Sequence, residues 1–216
     1  MNRIFELLED LYENFETFKT FIEEPYSYRF EEFSDEFCNY GDNSELHIDM
    51  GATKGVLIEV DADYVIKIPF IEEHDFDYCA YEETVLEEAV ERGLGEFFAG
   101  TESIGEYRGL PIYKMERVEV DYGRLFSKYG EEYSKSCKRS GTPYSEVEMT
   151  RRFESFDGEY YFDFFNELFF EKGEKKIKEL IYFLSEFDVN DLHIANMGVD
   201  SNDEVVFIDY SGYWGR

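Results

Sequence analysis

The sequence predicts an α+β protein, with strands concentrated in its first half and helices in its second half. Between residues 45 and 120, short apolar runs alternate with polar residues or are bounded by glycines and acidic turns, which is typical of antiparallel strands. After residue 120, apolar residues recur mainly at helical spacing until one strand-like run at 205–209. The chain is 43% hydrophobic and contains 22 Phe and 18 Tyr, which is enough apolar material for a packed core.

The N-terminal region predicts one amphipathic helix over residues 3–24, because apolar residues recur there at helical spacing with acidic residues between them. The apolar positions are Ile4, Leu7, Leu8, Leu11, Phe15, Phe18 and Ile22. Residues 25–44 are mixed and acidic and contain Pro25 and Gly41, so they are predicted to be a connector. Residues 1–44 would thus be a helical extension.

Three antiparallel strands are predicted next, at ELHIDM (45–50), VLIEV (56–60) and YVIKIPF (64–70). The loop GATKG (51–55) joins the first two strands, and the acidic turn DAD joins the second to the third. The spacing of these short runs predicts a meander in which each strand pairs with the one before it.

One helix and two further strands complete a domain predicted to span residues 45–117. Residues 76–92 predict a helix with one apolar side. That side contains Cys79, Val85, Leu86 and Ala89. Residues 96–120 predict two strands around a turn at YRG (107–109).

The remaining domain, residues 118–216, is predicted to be mainly helical. Residues 122–171 are rich in Phe and Tyr, and residues 174–187 form a clear amphipathic helix. The stretch NDLHIANMG (190–198) follows as a loop, and VVFID (205–209) follows as a short apolar strand.

Lys67 is the first residue that suggests chemistry, because it lies within an apolar strand in the run VIKIP. A lysine can steady the phosphates of a nucleotide, and it needs a carboxylate to hold it in place. The following helix offers Glu82 and Glu83 as adjacent candidates. A solvated acidic face is the alternative explanation for this helix.

Asp191, Asn196 and Asp209 supply oxygen atoms near the C-terminus. The first two are spaced D-x-x-x-x-N in one loop, and Asp209 ends the strand that follows. Carboxylate and amide oxygens suit Mg²⁺, and an aspartate can accept the proton of an attacking hydroxyl. The alternative explanation is that these side chains cap local backbone groups.

These pieces, in this order, resemble the protein kinase superfamily. VIKIP is similar to the strand-three lysine motif, DLHIAN resembles the catalytic loop of the aminoglycoside and choline phosphotransferase branch, and FIDYSG is similar to D-F-G. The chain also resembles small kinase-like proteins of phages and bacteria. The resemblance covers residues 45–212 and implies a bilobal fold. Its N-lobe would have five antiparallel strands and one helix, and its reduced C-lobe would be mostly helical.

The resemblance implies a role for each of the five polar residues, with ATP and Mg²⁺ as cofactors. Lys67 would contact the α- and β-phosphates, and Glu82 would pair with Lys67. Asp191 would be the catalytic base. Asn196 and Asp209 would be the metal ligands.

The resemblance also implies cofactor contacts in the N-lobe. The loop residues Gly51, Lys54 and Gly55 would cover the phosphates, although GATKG is not the kinase pattern G-x-G-x-x-G. Residues 113–116 (YKME) fall where the hinge of the family holds adenine, which places Met115 near the base.

Two further departures from the kinase pattern affect the expected substrate. Val189 and Asn190 precede Asp191, so the usual bracing histidine is missing. Seven residues follow Asp209, so the peptide-binding platform of a protein kinase is expected to be absent. The acceptor is therefore open between a protein side chain, a small-molecule hydroxyl and the protein itself.

The function predicted from these observations is ATP- and Mg²⁺-dependent phosphoryl transfer. One alternative is a pseudokinase that acts as an interaction module, and another is transfer of the nucleotidyl group. With 51 acidic and 21 basic residues, the net charge is −30, which disfavours direct binding of nucleic acid. The same charge leaves a further alternative, an acidic inhibitor or decoy that binds a basic protein partner.

The cysteines and the N-terminus indicate a soluble cytoplasmic protein. Cys38, Cys79 and Cys137 are widely spaced and odd in number, which argues against a disulfide framework or a zinc site. The N-terminus contains acidic residues where a signal peptide needs an apolar run. No stretch of about 18 apolar residues occurs, so no membrane association is expected.

Overall fold

The computed structural model describes residues 2–40, 46–58, 60–61, 63–71, 76–120, 155–156, 172–189, 191–192 and 194–211. Within these ranges the chain forms an α+β fold with five α-helices and a five-stranded antiparallel sheet, which confirms the predicted class and sheet. The chain divides into two compact units. Unit 1 comprises Met1–Thr84 and Gly100–Arg117, and unit 2 comprises Val85–Ala99 and Val118–Arg216.

The helices and strands are numbered here in chain order. The helices are α1 (Asn2–Asn14), α2 (Glu16–Glu23), α3 (Ser27–Asn39), α4 (Tyr78–Glu91) and α5 (Glu174–Glu186). The strands of the large sheet are β1 (His47–Met50), β2 (Lys54–Ile58), β3 (Tyr64–Pro69), β4 (Thr101–Tyr107) and β5 (Leu110–Glu116). The short strands are β6 (Ser155–Phe156), β7 (Asp191–Leu192), β8 (Met197–Val199) and β9 (Val205–Phe207).

The sheet of unit 1 has the strand order β1-β2-β3-β5-β4, and all neighbours are antiparallel. As predicted, β4 and β5 form a hairpin around a tight turn. Arg108 and Gly109 are its two central residues, and both have positive φ, 51° and 88°. A two-residue turn of this hand matches the twist of the strands that it joins.

The predicted single N-terminal helix is wrong, because the chain breaks between α1 and α2. Phe15 has extended backbone angles, φ −124° and ψ 112°, and its ring packs against Phe33 with the ring centroids 5.7 Å apart. The apolar spacing continues across the break, so the pattern alone cannot show it. Tertiary contact of the Phe15 ring accompanies the change in direction.

The predicted connector at 25–44 is also wrong, because α3 occupies Ser27–Asn39. Phe30 and Phe33 lie one turn apart on this helix and are fully buried. Their rings pack against those of Phe21 and Phe18, with centroid distances of 5.0 Å and 4.7 Å. Burial of these aromatic side chains stabilises α3 despite its acidic composition.

Helices α1 to α3 share one hydrophobic core with one face of the sheet. The sheet contributes Leu57, Ile66, Ile68 and Ile112, all fully buried. Successive residues of a strand face opposite sides, so Lys67, between Ile66 and Ile68, lies on the opposite face from this core.

Unit 2 contains the β8–β9 hairpin, in which Met197 is opposite Phe207. The chain before β4 joins this hairpin, because Ala99 N donates to Phe207 O at 2.9 Å. Tyr210 is fully buried, and its hydroxyl donates to Ala99 O at 2.8 Å. The predicted strand 205–209 ends earlier, at Phe207, which leaves Asp209 two residues beyond it.

Helix α5 confirms the predicted amphipathic helix at 174–187 to within one residue. Most of the region 122–171 lies outside the described residues, and its described pair Ser155–Phe156 forms a strand rather than a helix. That strand pairs in parallel with Asp191–Leu192. None of the helices in the described part of the chain has the length and apolarity that crossing a membrane requires.

Candidate functional site

Lys67 lies on β3 with its side chain almost entirely buried. The residue is 5% exposed, and its ammonium Nζ is 2.9 Å from Glu82 Oε2. Its strand partners are Val56 on β2 and Tyr113 on β5. Alternation along β3 therefore directs a lysine to the face of the sheet opposite the α1–α3 core.

Glu82 reaches this lysine from the buried side of α4. Cys79, Glu82 and Val85 are spaced three residues apart, share one side of the helix and are fully buried. Glu83 is the next residue along, and its Oε1 instead accepts a hydrogen bond from Ser103 N at 2.9 Å. Of the two glutamates that the sequence offered, Glu82 therefore makes the ion pair with Lys67.

Lys54 is a second lysine at the same carboxylate. It is 2% exposed, and its Nζ is 2.6 Å from Glu82 Oε1. The sequence placed Lys54 within the GATKG loop, whereas the structure makes it the first residue of β2. Each oxygen of Glu82 therefore contacts a different ammonium group, and we call Lys54, Glu82 and Lys67 the Lys–Glu–Lys cluster.

Charged groups at this depth are costly to retain. Removing an ammonium or a carboxylate from water costs several kcal/mol, which short charge-assisted hydrogen bonds offset in part. Buried clusters of ionisable groups are concentrated at functional sites, although structural ion pairs also occur. The Lys–Glu–Lys cluster is therefore the strongest candidate site in unit 1.

Asp77 fixes the start of α4 and thus the position of Glu82. Its Oδ1 accepts hydrogen bonds from Cys79 N and Ala80 N, both at 2.9 Å, as a helix N-cap does. Its Oδ2 accepts a bond from the Tyr113 hydroxyl at 2.6 Å. Burial raises the pKa of Tyr113, and this bond to Asp77 raises it further, so the phenol remains a donor.

Cys79 lies beside the cluster but is not a candidate nucleophile. Burial raises the pKa of its thiol far above the ordinary value, so the sulfur stays protonated at neutral pH. The residue is fully buried and serves as part of the apolar side of α4.

Gly51 and Gly55 have local structural roles in the turn between β1 and β2. Gly51 N donates to Lys54 O at 2.9 Å, which closes a tight turn. A β-carbon on Gly55 would lie 2.3 Å from Cε2 of Phe30, so the close approach of α3 requires glycine there. Their predicted contact with phosphates stays a prediction.

Met115 lies on the same face of the sheet as Lys67. It is opposite Val65, which is two residues from Lys67 on β3, and it is 1% exposed. The predicted contact of Met115 with adenine stays a prediction, but the residue does share a sheet face with the Lys–Glu–Lys cluster.

Unit 2 brings Asp191 and Asn196 together. The Nδ2 amide of Asn196 donates to the backbone oxygen of Asp191 at 2.9 Å and approaches its Oδ2 at 3.4 Å. The amide nitrogen therefore faces Asp191, which leaves the amide oxygen on the other side of the carboxamide. That oxygen is the atom a metal ion would bind.

Asp209 follows the end of β9, where the backbone is hydrogen-bonded to the loop that contains Asn196. Ile208 N donates to Asn196 O at 3.0 Å, which continues the β8–β9 ladder by one step. Asp209 is the next residue, and its Oδ1 accepts a bond from Ser211 Oγ at 3.1 Å. The two predicted metal ligands are thus held by adjacent backbone segments.

The donor set of Asn196 and Asp209 fits Mg²⁺. This ion usually takes one or two carboxylates and completes its coordination with waters and substrate phosphates. Among the described residues, no group of three or more His, Cys, Asp or Glu side chains is placed to hold a metal.

Two contacts of the site were not anticipated from the sequence, the Lys54–Glu82 ion pair and the Tyr113–Asp77 hydrogen bond. The sequence did contain a signal for the Lys54–Glu82 ion pair. Residues two apart on a strand face the same side, so Lys54 faces the same side as Val56 once β2 begins at Lys54. His193, which could also suggest chemistry, lies outside the described residues.

The structure thus brings Lys54, Lys67 and Glu82 together within unit 1, and Asp191 and Asn196 together within unit 2, with Asp209 next to that loop.

Comparisons with protein-family models, with curated proteins and with solved structures each returned no match to this chain.

Proposed function

We propose that this chain is an ATP- and Mg²⁺-dependent phosphotransferase with a protein-kinase-like fold. The observation that carries the proposal is the buried ion pair between Lys67 Nζ and Glu82 Oε2, at 2.9 Å. A lysine on the third strand, held by a glutamate of the following helix, is the arrangement that kinases use to position nucleotide phosphates. The antiparallel order β1-β2-β3-β5-β4, with α4 between β3 and β4 in the chain, agrees with this proposal.

In this proposal Lys67 binds the α- and β-phosphates of ATP as a point charge, and Glu82 limits the positions that its ammonium group can take. Positioning of this kind supplies much of the rate enhancement in phosphoryl transfer, because the protein does little covalent chemistry there. Tyr113 and Asp77 support Glu82 indirectly, since they fix the first turn of α4.

Asp191 is the proposed general base. It accepts the proton of an acceptor hydroxyl while the hydroxyl oxygen bonds to the γ-phosphorus and the bond to the β–γ bridging oxygen breaks, which releases ADP. Asn196 orients Asp191 through its amide nitrogen, and its amide oxygen, together with Asp209, would hold Mg²⁺. When bound, Mg²⁺ neutralises charge on the phosphates.

The acceptor in this proposal is the hydroxyl of a protein side chain, of a small molecule or of the protein itself. Autophosphorylation can be measured without knowing a substrate, so it is the first of the three to test.

The experiment follows Mg-ATP binding by calorimetry and, separately, the release of ADP and the labelling of the chain by γ-labelled ATP. The intact chain is expected to bind Mg-ATP and turn it over. Asp209→Asn should abolish metal-dependent turnover. Asp188→Asn is the control, because Asp188 is exposed in unit 2 and has φ 48°, a conformation that asparagine also adopts. Unchanged turnover in Asp209→Asn would refute the proposal.

A pseudokinase is the second candidate, and the β1–β2 turn favours it. Gly51 N bonds to Lys54 O, and Gly55 lies against Phe30, so neither glycine has the geometry of a long phosphate-covering loop. Nucleotide binding without ADP release or labelling would support this candidate over the enzyme.

A further inference from the structure

Lys54 and Lys67 present two ammonium groups to the same place from neighbouring strands. Lys54 is paired with Pro69, and Lys67 lies two residues before Pro69 on β3. The two lysines are therefore diagonal neighbours on one face of the sheet, a relation that separates residues by about 7–8 Å. Glu82 contacts one ammonium group with each carboxylate oxygen, at 2.6 Å and 2.9 Å.

Both lysines are almost entirely buried, at 2% and 5% exposed. Keeping an ammonium group at this depth costs several kcal/mol in lost hydration, which close anionic groups offset. Two ammonium groups on one face of the sheet can contact one anion together when its negative charge is spread over more than one group.

A chain of phosphates has this charge distribution. Successive phosphate groups each carry oxygens that accept charge-assisted hydrogen bonds from lysine. In the β1–β2 turn, Gly51 N is already bonded to Lys54 O. The Lys54 side chain therefore adds a charged donor beside Lys67 that does not depend on the backbone of this turn.

We infer that Lys54 and Lys67 form a two-lysine cradle for adjacent phosphates of a nucleoside di- or triphosphate, with Glu82 as the shared carboxylate that positions both. The inference rests on the proposed function and adds to it a ligand class and a second phosphate-contacting residue. Lys54 acts through its side chain from strand β2, and the cradle selects ligands by the length of their phosphate chain.

The test measures how affinity depends on the number of phosphates. Adenosine, AMP, ADP, ATP and inorganic tripolyphosphate are titrated by calorimetry into the intact chain, Lys54→Met and Lys67→Met. Lys54→Met is expected to weaken ATP and tripolyphosphate at least tenfold and to leave adenosine unchanged, so the preference for ATP over AMP shrinks. A general loss of structure would instead weaken all ligands together.

Lys19→Met is the matched control. Lys19 lies on α2, in the same unit but among the helices that pack on the sheet face opposite Lys67. Its Nζ is 3.9 Å from Glu16 Oε2, and its side chain is 39% exposed. The variant removes the same charge from the same unit and should leave all five titrations unchanged.

The outcomes separate this inference from the proposed function. If Lys54→Met binds ATP and tripolyphosphate like the intact chain, the cradle is overturned while the phosphotransferase proposal stands. If the intact chain binds tripolyphosphate through both lysines but shows no preference for adenine nucleotides, the cradle stands and the use of ATP is overturned. If the intact chain binds none of these ligands, both are overturned.

A measurement on the unaltered chain covers the case in which Lys54→Met does not fold. Lysine side chains labelled with ¹⁵N are followed by NMR as tripolyphosphate is added, with assignments from Lys54→Arg and Lys67→Arg. The signals of both lysines are expected to shift. A shift of Lys67 without Lys54 would overturn the cradle.

Discussion

Replacing Gly55 by alanine tests whether this glycine serves packing or a ligand. The added β-carbon would lie 2.3, 2.4 and 2.6 Å from Cε2, Cζ and Cδ2 of the Phe30 ring. That ring is fully buried, and its centroid is 5.0 Å from Phe21 and 5.7 Å from both Phe33 and Phe70. It cannot move without displacing those rings, so overpacking should lower the free energy of unfolding by about 1–3 kcal/mol.

Urea denaturation followed by far-UV circular dichroism measures this loss, and Gly100→Ala is the control. A β-carbon on Gly100 would meet no atom closer than Glu116 Oε2 at 3.9 Å, so the change should stay within about 0.5 kcal/mol. In a Phe30→Ala background, itself destabilised by about 3–5 kcal/mol, Gly55→Ala should cost little more, because the ring is gone. Unchanged stability of Gly55→Ala together with lost ATP affinity would refute the packing explanation and assign Gly55 to the ligand.

Two further predictions concern charge and pH. Glu82→Gln removes the carboxylate charge that both buried lysines contact and should lower the free energy of unfolding by about 3–5 kcal/mol in urea titrations. Glu83→Gln should cost less than about 1 kcal/mol, since its amide oxygen can still accept the bond from the backbone, and equal losses in the two variants would contradict the assignment of the buried role to Glu82. Burial and the bond to Glu9 raise the pKa of Tyr107 to about 12. The unfolded value is near 10, so this contribution to stability is present below about pH 10 and is lost as the pH rises toward 12. Tyr107→Phe should therefore lose less stability than the intact chain over that interval, and parallel pH profiles would show that Tyr107 contributes nothing to the alkaline loss.

The amino-acid pattern was sufficient for the five strands and for α4, because the signals involved are local. Alternating apolar residues, the turn at Arg108 and Gly109, and helical spacing from Cys79 onward each act within a few residues. The same spacing also distinguishes Glu82 as the buried glutamate. Glu82 lies three residues from both Cys79 and Val85 and therefore falls on the buried side of the helix.

The pairing of Asp191 with Asn196 shows the limit of such local signals. The D-x-x-x-x-N spacing suggested that the two side chains act together, and the structure places the amide nitrogen of Asn196 2.9 Å from the backbone oxygen of Asp191. The direction in which the amide oxygen faces depends on that bond, and no residue spacing specifies it.

Three features were decided by tertiary structure alone. Helix α3 forms because Phe30 and Phe33 find aromatic partners on α2, although the composition of residues 25–44 indicated a connector. The break at Phe15 has no signal in the apolar spacing, which continues through it. Lys54 becomes part of the buried cluster only because β2 starts two residues before its apolar run, which places the Lys54 side chain against Glu82 of α4. In each case the deciding energy comes from burial against residues distant in the chain, which a local pattern does not contain.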